Sequence, residues 1–283
     1  MAVQEFIDMI RAAGLEPPDR MTTDKIIAFA GRDKPKTNKA ARCFLFPDGR
    51  GGWFMDYSTG LFEVWQAERG QTYTEAEKQD FRERCERDRL AREQAVTEGQ
   101  QAAAFKADKI YKRAVSADAG NLYLHRKQVQ PHGAKMGDSG SLRGVLIIPI
   151  YDESLALVNL QLIQPDGTKR FLCGGKKKNC FWWLGKKTAK VLIAEGFATA
   201  ASLHEATGNQ VFIAFDAGNL ANVAKIVRAK NPDAEIIIMG DHDANGTGQQ
   251  AARAAALACG GKYLIPPTVG QDWNDCVNAG AAL

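Results

Sequence analysis

Residues 191–275 constrain this chain most, because they repeat one pattern: a short apolar run, an acid, then a helix-like segment. VLIAEGFATAASLHEA ends its apolar run on Glu195-Gly196, and EIIIMGDHDANG ends on Asp241-His242-Asp243. GQDWND then supplies Asp272 and Asp275. Apolar runs over 191–194, 211–215, 236–239 and 263–265 alternate with helical spacing over 197–207, 219–229 and 247–258. Such alternation predicts a parallel sheet covered by helices on both faces. An acid directly after a buried strand lies at the sheet's C-terminal edge, where open α/β sheets bind ligands. Three acidic stations there predict a site for Mg²⁺ (or Mn²⁺), since hard cations take oxygen ligands together with substrate phosphates.

Each acid has a plainer alternative. Glu195 alone reads as a helix-start residue satisfied by the dipole. DHDANG alone reads as a turn, since Asp, Asn and Gly favour turns. The recurrence of acids at equivalent strand ends favours chemistry. In an extended D-x-D both side chains share a face, which places Asp241 and Asp243 to share a cation. His242 then points away and is read as a loop histidine without a catalytic role. Asp272 is the stronger candidate to complete the site, with Asp275 read as a helix cap.

Upstream, residues 169–190 hold Lys169, Arg170, Lys176, Lys177, Lys178, Lys186, Lys187 and Lys190, and no acid. Lysines before an acidic site suit phosphates. The interleaved aromatics read as core, with Trp182 or Trp183 the exposed exception. Residues 1–72 predict a small α+β domain: a helix over 3–13, a second short helix over 24–30, and three antiparallel strands around the PDG and STG turns. Its sheet is expected to bury Phe44, Phe46, Phe54 and Val64 and to expose a polar face with Arg50. Residues 73–118 read as a charged helical linker, interrupted at Gly99, whose arginines are balanced by acids. Residues 119–190 read as a mixed α+β subdomain and 191–283 as the catalytic domain. The fold class is thus α/β with α+β parts.

Composition narrows the setting. The hydrophobic content of 45% in 283 residues supports real cores, and the net charge of +4 does not by itself require a nucleic-acid partner. No apolar run approaches the roughly 20 residues that span a bilayer, and the N-terminus lacks signal-peptide character; a cytoplasmic protein without membrane contact is expected. No C-x-x-C occurs among the six cysteines, so no zinc is expected. Neither G-x-x-x-x-G-K-[ST] nor a G-x-G-x-x-G after the Glu195 strand occurs.

EGFATA, the Asp241/Asp243 pair and GQDWND resemble the Toprim domain shared by bacterial-type primases, topoisomerases and some nucleases. YLHRKQV, RGVLIIPIYD and LQLIQPDGTKRFL are similar to the segment that precedes Toprim in primases. AEGFATAASLHEATG, VFIAFDAGNL and DGRGGWFMDYSTG resemble primases of plasmids and phages. The resemblance implies a DNA primase of a bacterial host, working on single-stranded DNA with ribonucleoside triphosphates and Mg²⁺ (or Mn²⁺), with a separate replicative helicase as a further partner. It places Glu195, Asp241 and Asp243 on the catalytic acids and Asp272 on a trailing acidic position. Arg143, Lys169 and Arg170 fall near basic residues that serve template or nucleotide. Thr199 stands where replicative primases carry a further Asp. A Toprim nuclease or topoisomerase fragment, and a non-catalytic single-strand-binding accessory protein, are the competing readings.

Overall fold

A computed structural model of the protein describes residues 2–67 and 75–281. The expected domain boundary at 72/73 therefore lies outside the described residues. The chain forms two compact units, Met1–Arg84 and Cys85–Leu283.

The first unit holds α1 (Ala2–Ala12), β1 (Ile26–Phe29), β2 (Ala41–Leu45), β3 (Gly51–Asp56) and β4 (Leu61–Gln66). The strands form one antiparallel sheet in the order β1-β2-β3-β4. The helix expected over 24–30 is instead β1. Its Ile-Ile-Ala-Phe run is β-branched and aromatic, and it pairs from Ile26↔Phe44 to Phe29↔Ala41. Phe6 and Ile10 of α1 close the core over Phe29, Cys43, Leu45, Phe54 and Trp65. Phe54 is buried as expected, but Phe46 and Val64 are exposed and Phe44 only half-buried. Both parities of β2 and β3 carry large apolar residues, so alternation alone did not choose the inner face. Packing by α1 selects Cys43, Leu45 and Phe54, and turns Ile26, Phe44, Trp53 and Val64 outward in one cross-strand row.

The helix α2 (Glu75–Arg113) carries the boundary between the units and runs through Gly99 without a break. One helical glycine costs only about 1 kcal/mol. The helix is exposed over most of its length and laced with i,i+3 and i,i+4 pairs, among them Arg84–Asp80 at 2.7 Å and Arg89–Glu93 at 2.7 Å. Its last turns differ. Ala103 and Ala107 are buried, and Ala107 packs with Ile147, Leu160 and Leu172. Small residues one turn apart let the helix approach the sheet, so this end is core of the second unit as well as linker.

After α2 come β5 (Val115–Ser116), α3 (Leu122–Lys127), β6 (Lys135–Met136), β7 (Leu146–Tyr151), β8 (Leu157–Ile163) and β9 (Lys169–Phe171). These strands form an antiparallel sheet in chain order. The remaining elements are β10 (Trp182–Leu184), β11 (Lys190–Ala194), α4 (Phe197–Thr207), β12 (Gln210–Ile213), α5 (Leu220–Lys230), β13 (Glu235–Met239), α6 (Thr247–Cys259), β14 (Lys262–Leu264) and α7 (Trp273–Asn278). They form a sheet in the order β10-β12-β11-β13-β14. β12, β11, β13 and β14 are parallel as expected, and β10 adds an antiparallel edge. Leu192 and Ala194 face a core shared with α4 and α7, while Val191 and Ile193 face α5 and α6. Burial on both faces explains why these strands read as unbroken apolar runs. Neither tryptophan of β10 is the exposed exception. Trp182 is buried and stacks on Phe197, while Trp183 is half-buried against Tyr151, Phe181 and Phe212, because the edge strand is covered on both faces. All six cysteines are free, with Cys173 exposed and Cys180 buried.

Candidate active site at the C-terminal edge of the parallel sheet

Three adjacent strands end in acids. Glu195 follows β11 directly, Asp216 follows β12 after Ala214-Phe215, and Asp241 follows β13 after Gly240. The helix after β11 packs on one face of the sheet and the helix after β13 on the other. The crevice between Glu195 and Asp241 is therefore a topological switch point, the place where such sheets bind ligands.

The acids influence one another. Burial raises the pKa of Glu195, Lys169 opposes the rise, and Asp216 and Asp243 add to it. Burial pushes Asp241 up to about 7, helped by the charges of Glu195, Asp272 and Asp243 and opposed by Lys169. Oδ1 of Asp241 is buried without a hydrogen-bond partner. Asp243 leaves the extended line and turns into α6, where its Oδ2 accepts the Gly248 N–H at 2.8 Å. Asp272 caps α7: its Oδ1 accepts the Asp275 N–H at 2.9 Å, and Asp275 Oδ2 accepts the Asp272 N–H at 3.3 Å. Both acids of GQDWND are thus cap residues, and Lys127 lies 3.8 Å from Asp272 and 3.9 Å from Asp275. His242 is tied to a neighbouring loop, its Nδ1 lying 2.7 Å from the Pro266 carbonyl oxygen.

The basic residues separate. Lys169 belongs to the site: a Cβ on Gly196 would lie 3.6 Å from its Nζ, and its charge reaches Glu195 and Asp241. Arg170, next on β9, points to the other face by strand alternation, and its charge is felt by Asp166. Arg143 is exposed at the end of a 3₁₀ turn before β7 and makes no ion pair among the described residues. The three lysines of the loop also part. Lys177 pairs with Asp216 at 2.9 Å and lies over the Phe171 ring. The charge of Lys176 acts on Asp152 and Cys180, and Lys178 is exposed.

Asp216, Asn219 and Tyr123 escaped the sequence reading. Asp216 sits at a strand end, the signal that marked the other acids, but Phe215 with φ 70° inserts a turn first. Asn219 is buried and pins the lysine loop to β12: its Nδ2 donates to the carbonyl oxygens of Lys177, Cys180 and Ala214, and its Oδ1 accepts the Asn179 N–H. Nothing in AGNL distinguishes such a hub from a surface asparagine. Burial, aided by Asp272, pushes the Tyr123 hydroxyl up to about 12, and that hydroxyl has no hydrogen-bond partner.

No three of the described His, Cys, Asp and Glu side chains converge closely enough to hold a metal ion. The donor type nevertheless fits a hard cation: the strand-end acids offer carboxylate oxygens only, and Asp241 Oδ1 has no other partner.

Residues 190–282 match the model of the Toprim domain. Two proteins called DNA primase TraC, both of Escherichia coli, are similar to the chain. One is 31% identical over 282 residues, covering 93% of this chain and 19% of its own length. The other is 32% identical over 227 residues, covering 76% of this chain and 21% of its own length. The chain thus spans about a fifth of the length of the relatives it matches. Among solved structures, the primase fragment of the bacteriophage T7 primase-helicase protein aligns with 90% of this chain and 96% of its own at 14% identity and a TM-score of 0.45. The DnaG catalytic core aligns with 65% and 76% at 12% identity and a TM-score of 0.44. No described helix is long and apolar enough to cross a membrane.

Proposed function

We propose that this chain is a DNA primase core, a DNA-dependent RNA polymerase that makes short RNA primers on single-stranded DNA for a plasmid or phage. The observation that carries the proposal is the pair of strand-end acids Glu195 and Asp241, with Asp243 beside them at the start of α6 and the unpartnered buried oxygen of Asp241 between their charges. The similarity to DNA primase TraC along most of the chain supports it. Glu195 and Asp241 would hold Mg²⁺ or Mn²⁺, with Asp243 and Asp272 each offering the one carboxylate oxygen that the Gly248 and Asp275 N–H groups leave free; the ion would neutralise charge on the attacking and leaving oxygens of an in-line displacement. Glu195, with its raised pKa, accepts the proton of the primer 3′-hydroxyl. The freed oxygen forms the new bond to the α-phosphorus, and the bond to pyrophosphate breaks. Lys169 and Lys177 stand beside the acids as partners for nucleotide or template phosphates. A separate replicative helicase would supply the exposed single strand.

The test is incorporation of labelled ribonucleotides on a single-stranded template with and without Mg²⁺. Metal-dependent products of short length are expected, and Glu195→Gln should lose most of them. Strand nicking without incorporation would instead identify a Toprim nuclease. Binding with neither reaction would identify an accessory factor.

The parting of the lysines gives a second test. Lys177→Ala should lower the salt slope of single-stranded DNA binding by about 0.7 and also reduce synthesis, since Lys177 faces the acids. Lys178→Ala should change the slope by no more than that and leave the turnover at saturating template intact. Equal effects of the two on turnover would show that the Lys177–Asp216 pair has no special place in the site.

A further inference from the structure

The first unit carries a surface that its own core does not use. Its sheet is closed on one side by α1, and the other side is open. Four aromatic rings follow one another from Phe46, just past β2, across β2, β3 and β4. Phe46 to Phe44 is 5.7 Å between centroids, Phe44 to Trp53 6.2 Å, and Trp53 to Phe62 6.2 Å. The last two steps are nearly parallel, with interplanar angles of 21° and 29°. Phe62 is 58% exposed and Phe46 37%. Hiding such rings is ordinarily favourable, so an open row of them marks a contact surface.

The charge on this face indicates the partner. No outward register position of the four strands holds an acid, and the single charged one is Arg42, whose guanidinium lies 5.8 Å from the Tyr57 ring centre. Rings of like tilt beside a cation, with no carboxylate among them, match single-stranded nucleic acid. Bases stack on aromatic faces whatever their sequence, and a cation on the same face meets the backbone. A protein partner would need an apolar patch but would have no requirement for near-parallel rings.

We infer that the open face of the N-terminal sheet is a stacking platform for single-stranded nucleic acid, with Phe44, Trp53 and Phe62 as base contacts and Arg42 as the phosphate contact. The inference rests on the proposed function for the source of the strand, but it is tested without synthesis. The full chain is titrated against a fluorescein-labelled single-stranded oligothymidylate in EDTA, and anisotropy is read. Phe62→Ala and Trp53→Ala should each weaken binding roughly 5- to 100-fold with little change in salt slope. Arg42→Gln should lower the slope by about 0.7. Phe62 is exposed, so its replacement leaves the core intact, which thermal unfolding checks. Unchanged affinity in folded Phe62→Ala and Trp53→Ala proteins overturns the platform. So does a change of oligomeric state in sedimentation without a change in binding, which would make the face a contact between copies of this chain. Ring-dependent binding in a protein that incorporates no ribonucleotide would remove the primase reading and leave the platform. Incorporation with ring-independent binding would remove only the platform.

Discussion

Asp241→Asn is expected to lower ribonucleotide incorporation by at least about 10²-fold while making the metal-free protein more stable. The two effects have one cause. Asp241 is pushed up to about 7 first by burial and then by Glu195, Asp272 and Asp243. Its ionised form is thus the costly one without a cation and the useful one with it. The folded pKa lies above the unfolded value of 3.8. Its contribution to stability is therefore fully present below about pH 4 and is lost as pH rises through about 7. The full shift corresponds to about 4 kcal/mol. Partial exposure reduces this to roughly 2 kcal/mol. Denaturant unfolding in EDTA at pH 4 to 8 measures it as the difference between wild type and Asp241→Asn. The difference should grow with pH in favour of the variant. Added Mg²⁺ should stabilise the wild type above pH 7, less so below it, and the variant little, because protons and the ion compete for the same carboxylate. A variant that keeps full synthesis, or a stability difference flat in pH, would remove Asp241 from the centre of the site.

Much of this site was legible because the rule that exposes it is local. A buried parallel strand leaves an apolar run, and the next residue lies at the ligand edge; Glu195 and Asp241 follow that rule closely. The helices over α4, α5 and α6 were legible for the same reason, since both their faces and their boundaries follow from the strands they connect. What stayed hidden depended on partners distant in sequence. Asp216 is drawn in by Lys177, 39 positions earlier, and the loop that carries Lys177 is held by Asn219. The tilt of β2 and β3 was ambiguous because Phe44 and Cys43 are both apolar, and only α1 decides which faces inward. The edge strand β10 looked like part of the preceding subdomain because chain order does not reveal its pairing with β12. The convergence of Asp241 and Asp243 on one face assumed extended backbone; the Gly248 N–H draws Asp243 into the helix start instead.

That last contact makes Gly248 a sensitive position although it bears no chemistry. Gly248 is buried in the first turn of α6, and its φ is not in the left-handed region, so backbone freedom does not explain the glycine. Close approach does. A Cβ there would lie 2.5 Å from the Asp241 carbonyl oxygen and 3.1 Å from Asp243 Oδ2. The backbone cannot simply withdraw. Behind it Gly240 is equally tight, since a Cβ there would lie 2.5 Å from Ala252 Cβ and 2.7 Å from Ile265 Cδ1. Gly248→Ala must therefore move the start of α6 or the Asp241–Asp243 segment. Alanine's helix propensity returns about 1 kcal/mol, against roughly 1–3 kcal/mol for overpacking. The net loss of stability should be small, whereas the displaced carboxylates should cost about 10²-fold in incorporation, the usual effect of a shift near 1 Å in reacting groups. Gln250→Ala, exposed in the same turn, serves as the control and should stay within about twofold of wild type. Measured together, thermal unfolding and incorporation separate the two effects. A Gly248→Ala protein that is both stable and fully active would mean that the acids tolerate the displacement, and that the tight seat of α6 against Asp241 serves packing alone.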